Sequence, residues 1–260
     1  MHDPTSIDET RFPKVAGLLR DHPVEPVDWG PIREYQGQSC PQKVANTFLL
    51  CCLLDYRMKA GKAWENGERL VCALGDPEDI WAKIASHIKE EWESKWKLKC
   101  KSGGEDVEFY THRYQRGHNR LWRIANEICS YFDGDARRIW QDSSAFDVLC
   151  RLNYIGAGEQ ISRMIVRALR DVGQIEGPAR GDVKADVHVC RVMGRLFFGE
   201  QTGPEATTGL ARKLNPNDPS AFDFSLFTLG STLCRATTPH CSPCYLKDEC
   251  VYAQGQGAVT

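Results

Sequence analysis

The sequence lacks any segment that could cross a bilayer: its longest apolar run, residues 48–54, is only seven residues long, and a spanning helix needs about 20. The polar N-terminal segment has no basic stretch followed by an apolar one, so it does not have the pattern of a secretory signal peptide. Alternating β-branched runs are almost absent, and there is no internal repeat or low-complexity tract. These absences exclude membrane-spanning and fibrous classes and predict an intracellular, all-α globular protein.

Helical spacing, in contrast, recurs along the 260 residues. Residues 43–54, which include the apolar run 48–54, predict a buried helix, while residues 78–93 and 118–132 predict helices with charged faces. Residues 143–172 predict two helices joined by a short turn, with Ser143 or Ser144 as the first cap.

Charge is distributed unevenly, although the formal net charge is only −2. Residues 95–139 contain six acids and ten bases, which gives that segment a net charge of +4; the bases are Lys95, Lys97, Lys99, Lys101, Arg113, Arg116, Arg120, Arg123, Arg137 and Arg138. A basic face on a near-neutral body is typical of an enzyme that touches a polyanion on one side. A solvated helix face would give the same pattern.

Cysteine is the most unusual component, with 12 in the chain. Four of them lie within 17 residues, separated by gaps of six, two and five: Cys234, Cys241, Cys244 and Cys250. In a reducing compartment such a group indicates a metal site and not a disulfide framework. Structural zinc sites usually contain two close pairs of ligands. A single wrapping loop with one close pair favours a cubane iron–sulfur cluster, and zinc stays as the alternative.

The turn predicted within residues 143–172 contains Gly156 and Gly158, one residue apart and directly before a helix. Glycines there allow close backbone approach to a ligand, and the amides at a helix N-terminus favour an anion such as phosphate. An ordinary turn between helices is the simpler alternative.

Asp186 lies five residues after the Gly/Pro-rich stretch 177–181 and stands among small and apolar residues. It lies at the predicted start of a helix, so it is either an ordinary N-cap or a carboxylate placed for chemistry.

Together these features resemble the helix-hairpin-helix DNA glycosylase superfamily, in the branch of endonuclease III and the adenine glycosylases. The order of hairpin, Gly/Pro-rich loop, aspartate and four-cysteine loop matches, and the segment Ala185–Val192 resembles the family's Asp-x-His motif. The resemblance covers residues 41–252. It is strongest at the cysteine loop, and it weakens before residue 140.

The resemblance implies two helical lobes with a DNA-binding cleft between them. Residues 41–178 would form a six-helix barrel that contains the hairpin at about 143–172. Residues 1–40 and 179–260 would form the second lobe, with a [4Fe-4S] cluster in the loop 234–250. It also implies a monomer that binds double-stranded DNA containing a damaged or modified base, associated with the nucleoid in a bacterium or archaeon.

The resemblance further implies a mechanism in which the target base is flipped out of the duplex and Asp186 assists hydrolysis of its glycosidic bond. Gly156, Gly158 and Gln160 would contact the DNA backbone. Family members that also cleave the strand carry a lysine two residues after the second hairpin glycine, where this sequence has Gln160. This departure predicts a monofunctional glycosylase. Lys184 keeps a bifunctional glycosylase and lyase as an alternative, and a non-catalytic DNA-binding or redox-sensing protein is another.

The side chain that fills the gap left by the flipped base is less clearly marked. The family usually has a glutamine after its early buried helix, whereas this chain has Tyr56 and Arg57 there. We expect one of these to be the wedge, with Gln160 as a further pocket candidate.

Overall fold

The computed structural model describes residues 7–24, 28–102, 104–176 and 182–256. The predicted Gly/Pro-rich stretch 177–181 and the predicted boundary at residue 178 lie outside the described residues. Helices account for most of the described chain: α1 (Arg11–Asp21), α2 (Gln42–Leu54), α3 (Ala60–Leu74), α4 (Ile80–Ala85), α5 (Lys89–Ser94), α6 (Gln115–Phe132), α7 (Arg137–Trp140), α8 (Ala145–Tyr154), α9 (Glu159–Asp171), α10 (Val187–Phe198), α11 (Pro204–Leu214), α12 (Asp223–Thr232) and α13 (Val251–Gln256). Short 3-10 helices occur at Gly30–Tyr35, Pro77–Asp79 and Lys247–Glu249. The predicted helical class is therefore confirmed.

One predicted helix is interrupted. The segment 78–93 forms α4 and α5, because the Ser86 hydroxyl donates to the Lys83 carbonyl oxygen and Ile88 adopts an extended backbone. Local side-chain bonding of this kind competes with helix continuation.

A two-stranded antiparallel sheet, β1 (Lys97–Ser102) and β2 (Glu105–Tyr110), is an addition to the all-α expectation. Its signal was present in the sequence, since residues 97–101 alternate Lys, Leu, Lys, Cys, Lys. Cys100 and Phe109 are buried, while Lys97 and Lys99 are exposed and pair with Glu108 across the strands. The β1–β2 hairpin thus neutralises part of the positive charge of segment 95–139.

The described residues divide into two compact units, 28–102 with 104–176, and 7–24 with 182–256. In the first, α2 is buried along most of its length, as the apolar run 48–54 predicts. The second has a core to which α1, α10, α11 and α12 contribute. No helix in the described ranges has both the length and the apolar character that crossing a membrane requires.

Residues 28–40 group with the first unit, whereas the sequence-based division placed them with the N-terminal arm. Ile32 is fully buried, and the Gly37 N–H donates to the Val172 carbonyl oxygen at 3.1 Å. Gln174 Nε2 also donates to the Tyr35 carbonyl oxygen at 2.8 Å. These contacts tie the segment to the end of α9.

Candidate functional site

The helical hairpin predicted at residues 143–172 consists of α8, a tight turn and α9. Ser144 is the cap of α8, and it exchanges hydrogen bonds with Asp147 in a capping box. Gly156 and Gly158 have φ values of +90° and +76°, a region that favours glycine. Gly158 is the N-cap of α9, so its N–H lies at a helix N-terminus, where an anion is favoured. The Gly156 N–H, which the sequence also predicts to contact phosphate, instead donates to the Asn153 carbonyl oxygen at 3.0 Å.

Two arginines of α6 contact this turn. Arg120 donates from Nη2 to the Ala157 carbonyl oxygen. Arg123 lies so close to Gly156 that a Cβ added there would overlap its guanidinium. Two positive charges are therefore held against the turn that the sequence predicts to bind phosphate.

Tyr56 lies in the loop between α2 and α3, and its ring is surrounded by guanidinium groups. The guanidinium carbons of Arg57, Arg116 and Arg120 lie 5.3–5.5 Å from the ring centre, within the range of cation–π attraction. Arg116 Nη2 also donates to the Tyr56 hydroxyl at 2.6 Å. Arg57 is exposed, with a left-handed φ of +53°.

The loop that carries Tyr56 is fixed by a buried histidine. His112 Nδ1 accepts a hydrogen bond from the Tyr114 N–H at 2.9 Å, so the neutral ring is assigned a proton on Nε2, which donates to the Tyr56 carbonyl oxygen at 2.9 Å. Burial lowers the pKa of His112 and favours this neutral form. Gly117 leaves room for the ring, because an added Cβ there would overlap it.

The basic residues of segment 95–139 divide into two groups. Five pair with carboxylates of the described chain: Lys95, Lys97, Lys99, Arg137 and Arg138. The other five have no carboxylate partner among the described residues: Lys101, Arg113, Arg116, Arg120 and Arg123. The last three of these lie near the turn and Tyr56. The basic face expected from composition is thus reduced to a local arginine cluster.

Gln160 lies in the first turn of α9, half-buried. Its Oε1 is buried and has no hydrogen-bond partner among the described residues. An unpaired buried acceptor costs free energy, so the position is suited to a ligand that donates a hydrogen bond.

Asp186 is the N-cap of α10. Its Oδ1 accepts the N–H groups of His188 and Val189 at 2.9 and 3.0 Å, and no hydrogen bond to Oδ2 is formed within the described parts of the chain. The side chain is half-buried, next to the exposed Val187, and Phe227 lies against His188 with ring centres 5.2 Å apart. Asp186 therefore caps α10 through Oδ1, and its Oδ2 is left for another role.

Lys184, the alternative nucleophile, is also half-buried two residues before Asp186. Its backbone N–H donates to Asp223 Oδ1 at 3.1 Å.

The four cysteines of the loop 234–250 are half-buried and free of disulfides, and three of them pack against the core of their unit. Burial raises the pKa of the Cys241, Cys244 and Cys250 thiols, and Cys234 lies close enough to raise each further. In the part of the chain that the structure describes, no three His, Cys, Asp or Glu side chains converge as a single bound ion requires.

Two arginines of α10 hold this loop. Arg191 is buried, and it donates from Nε to the Cys234 carbonyl oxygen at 2.7 Å and from Nη2 to the Gly230 carbonyl oxygen at 2.6 Å. Arg195 donates from Nη1 to the Arg235 carbonyl oxygen at 2.6 Å, and its Nη1 lies 3.5 Å from Cys234 Sγ.

Sequence reasoning did not single out the relation between α6 and the turn. Its signal was the spacing of Arg116, Arg120 and Arg123 at i, i+4 and i+7, which places all three on one helix face. The contact with Tyr56, which is about 60 residues away in sequence, leaves no local pattern.

No family model matches this chain. A curated relative, endonuclease III of Thermotoga maritima, is 32% identical over 73 residues, which are 28% of this chain and 34% of the relative. The match therefore spans about a third of that protein's length.

Solved structures resemble the chain along almost its whole length. A trapped endonuclease III–DNA covalent intermediate gives a TM-score of 0.60 at 16% identity, covering 95% of this chain and 96% of that one. A non-covalent endonuclease III–DNA complex gives 0.61 at 14%, covering 97% and 99%. A thermostable thymine-DNA glycosylase gives 0.59 at 15%, covering 97% and 100%. The chain therefore has the fold of these endonuclease III and thymine-DNA glycosylase structures, which is the fold that the resemblance seen in its sequence implies.

Proposed function

We propose that this protein is a DNA glycosylase of base-excision repair, which hydrolyses the N-glycosidic bond of a damaged, mismatched or modified base in double-stranded DNA. The observation that carries the proposal is Asp186, whose Oδ1 caps α10 while Oδ2 accepts no hydrogen bond within the described residues. The endonuclease III and thymine-DNA glycosylase neighbours support the same activity class. The protein would act as a monomer, with the barrel and cluster lobes that the resemblance implies.

The chemistry follows from the bond that breaks. A base inside a duplex is inaccessible, so it is extruded into a pocket. Cleavage leaves positive charge on the sugar, which the Asp186 carboxylate stabilises while it orients a water molecule and accepts its proton. The Gly158 N–H and the first turn of α9 hold a backbone phosphate, which fixes the register of the DNA without reading its sequence. The Gly156 N–H has no part in this, because it already donates to the Asn153 carbonyl oxygen at 3.0 Å.

Gln160 makes a monofunctional enzyme the simplest proposal. An amide nitrogen cannot form the Schiff base that strand cleavage by an amine requires, whereas the unpaired Oε1 can accept a hydrogen bond from an N–H group of an extruded base. Lys184 would supply the amine in the bifunctional alternative.

Arg57 is the better of the two wedge candidates. Tyr56 is surrounded by guanidinium groups and hydrogen-bonded through its hydroxyl, so its ring is already engaged. Arg57 is exposed, and its planar guanidinium can stack in the gap left by the base.

A [4Fe-4S] cluster is the proposed cofactor, held by Cys234, Cys241, Cys244 and Cys250. Four half-buried thiols without disulfides in one loop fit such a group. They fit it better than a single zinc ion, because each thiolate would bind its own iron and convergence on one point is not required. When bound, the cluster supplies four iron–thiolate bonds that fix the loop.

The test of activity is a panel of duplexes, each with one lesion, assayed with and without alkali. Alkali cleaves abasic sites, so we expect product only in the alkali lanes. Asp186→Asn should lower base release by about 10²–10⁴-fold with DNA binding retained, because Asn caps a helix as well as Asp. Asp182→Asn, which removes a carboxylate paired with Arg212, is the matched control and should keep activity.

Each alternative has its own outcome in this assay. Strand cleavage without alkali, with a borohydride-trapped adduct that disappears in Lys184→Ala, would replace the proposal by the bifunctional enzyme. DNA binding without abasic sites on any duplex would identify the non-catalytic protein.

The cluster is tested by iron analysis and visible absorption of the purified protein. Cys241→Ser should lose iron and brown colour, whereas Cys150→Ser, an exposed cysteine outside the loop, should keep both. A colourless zinc-containing preparation would contradict the cluster.

A further inference from the structure

We propose that Arg116, Arg120 and Arg123, assembled around Tyr56 and the hairpin turn, form a second phosphate-binding site that extends the turn along the DNA backbone. The inference rests on the proposed function, since it takes duplex DNA as the ligand. It assigns α6 a direct part in binding, in addition to the backbone amides at the start of α9.

The first argument is geometric. The three arginines recur at i, i+4 and i+7 and so share one face of α6. At one end of this face Arg123 packs on Gly156 and Arg120 donates to the Ala157 carbonyl oxygen. At the other end Arg116 donates to the Tyr56 hydroxyl. The guanidinium groups therefore run continuously from the turn to the loop after α2.

The second argument is electrostatic. No carboxylate of the described residues pairs with these three arginines. Burial lowers the pKa of Arg120, and the like charge of Arg123 lowers it further. Cations held together without a counter-charge are unfavourable by themselves, and a bound anion relieves the repulsion. Elsewhere in the same segment, Arg137 and Arg138 have carboxylate partners.

The third argument concerns access and pre-organisation. Arg116 and Arg123 are exposed, while Arg120 is half-buried and anchored. Contacts to Tyr56 and the turn restrict the guanidiniums before a ligand arrives, which reduces the entropy lost on binding. Planar guanidinium forks match the paired oxygens of a phosphate, and a row of them beside the hairpin amides fits successive phosphates of one strand.

The experiment measures binding of an undamaged duplex as a function of KCl concentration, which requires no base release. A variant that binds one phosphate fewer should have a slope of log K against log[KCl] that is smaller by about 0.9. We expect this decrease for Arg116→Gln and for Arg123→Gln, at every duplex sequence tested. Arg116→Lys keeps the charge and should retain the slope.

The matched control is Arg138→Gln, which removes an exposed arginine of the same unit that is paired with Asp133. It makes the same change in net charge and should leave the slope unchanged. Circular dichroism of each variant checks that the fold is intact.

The remaining outcomes separate the two proposals. If Arg116→Gln and Arg123→Gln bind with the parental slope, or if Arg138→Gln lowers it equally, the second phosphate site is overturned while base release can still establish the glycosylase. If the site is real but no lesion is excised, the slopes change as expected and the glycosylase proposal fails alone. A wild-type protein that binds no duplex overturns the site.

Discussion

Arginine is used in opposite ways on α10 and α6. On α10, Arg191 is buried and its guanidinium donates to the carbonyl oxygens of Cys234 and Gly230. On α6, Arg116 and Arg123 are exposed and have no carboxylate partner in the described chain. The guanidinium groups of Arg191 and Arg195 on α10 donate to backbone carbonyl oxygens, so their role is structural. The α6 side chains keep unused donors, which is what a ligand-binding surface needs.

The largest expected effect tests the structural half of this comparison. Arg191→Met should lower the free energy of unfolding by about 3–5 kcal/mol, because the buried carbonyl oxygen of Gly230 and the half-buried one of Cys234 lose a charged donor. Arg123→Met, at an exposed position on α6, should change it by no more than about 0.5 kcal/mol. Urea denaturation of the purified proteins measures both. Equal losses in the two variants would remove the distinction between the helices.

The contrast explains which parts of the site were predictable. The N-cap position of Asp186, the Ser144 cap and the Gly156–Gly158 turn are set by a few consecutive residues, so local pattern was sufficient to locate them. The spacing of the four cysteines is likewise a local property.

Contacts between distant segments were not predictable in this way. The packing of Arg123 on Gly156, and of Arg116 on Tyr56, depends on where α6 lies after folding. The β1–β2 hairpin was missed for another reason. Its alternation is only five residues long, and the charged residues on one side of it were interpreted as part of a basic face.

Buried histidine is a second difference between the two units. In the described chain the fully buried histidines, His112 and His118, are both in the unit that contains the hairpin. His118 bonds through Nε2 to the Trp92 carbonyl oxygen at 2.6 Å and through Nδ1 to the Thr111 hydroxyl at 2.7 Å. Burial lowers the pKa of His118 to about 4.

This difference predicts that acid destabilises the unit 28–176, which contains both histidines. The unfolded chain takes up a proton at His118 near pH 6.5, before the folded protein does. The contribution of His118 to the free energy of unfolding is therefore fully present above pH 6.5. It falls by about 3 kcal/mol as the pH is lowered towards 4. Urea denaturation at a series of pH values measures the loss, and amide exchange locates it. His118→Gln should flatten the profile between pH 6.5 and 4; an unchanged slope would show that other groups cause the acid sensitivity.

The smallest expected effect concerns glycine, which also has opposite roles in the two units. Gly158 caps α9 with φ +76° and ψ 146°, a region that other residues rarely adopt. Gly209 lies inside α11, where an added Cβ would meet nothing within 4 Å. Gly158→Ala should therefore cost about 1–3 kcal/mol of unfolding free energy. Gly209→Ala should add about 0.5–1 kcal/mol, because alanine loses less backbone entropy in a helix.

The two substitutions add the same methyl group, so their opposite signs isolate backbone conformation as the cause. Thermal denaturation of both variants measures them side by side. Since no neighbouring atom blocks a Cβ at Gly158, a loss there reports strain in the turn alone. If Gly158→Ala were as stable as the parent protein, the turn would accept an ordinary backbone conformation, and the phosphate contact proposed for the Gly158 N–H would lose its structural basis.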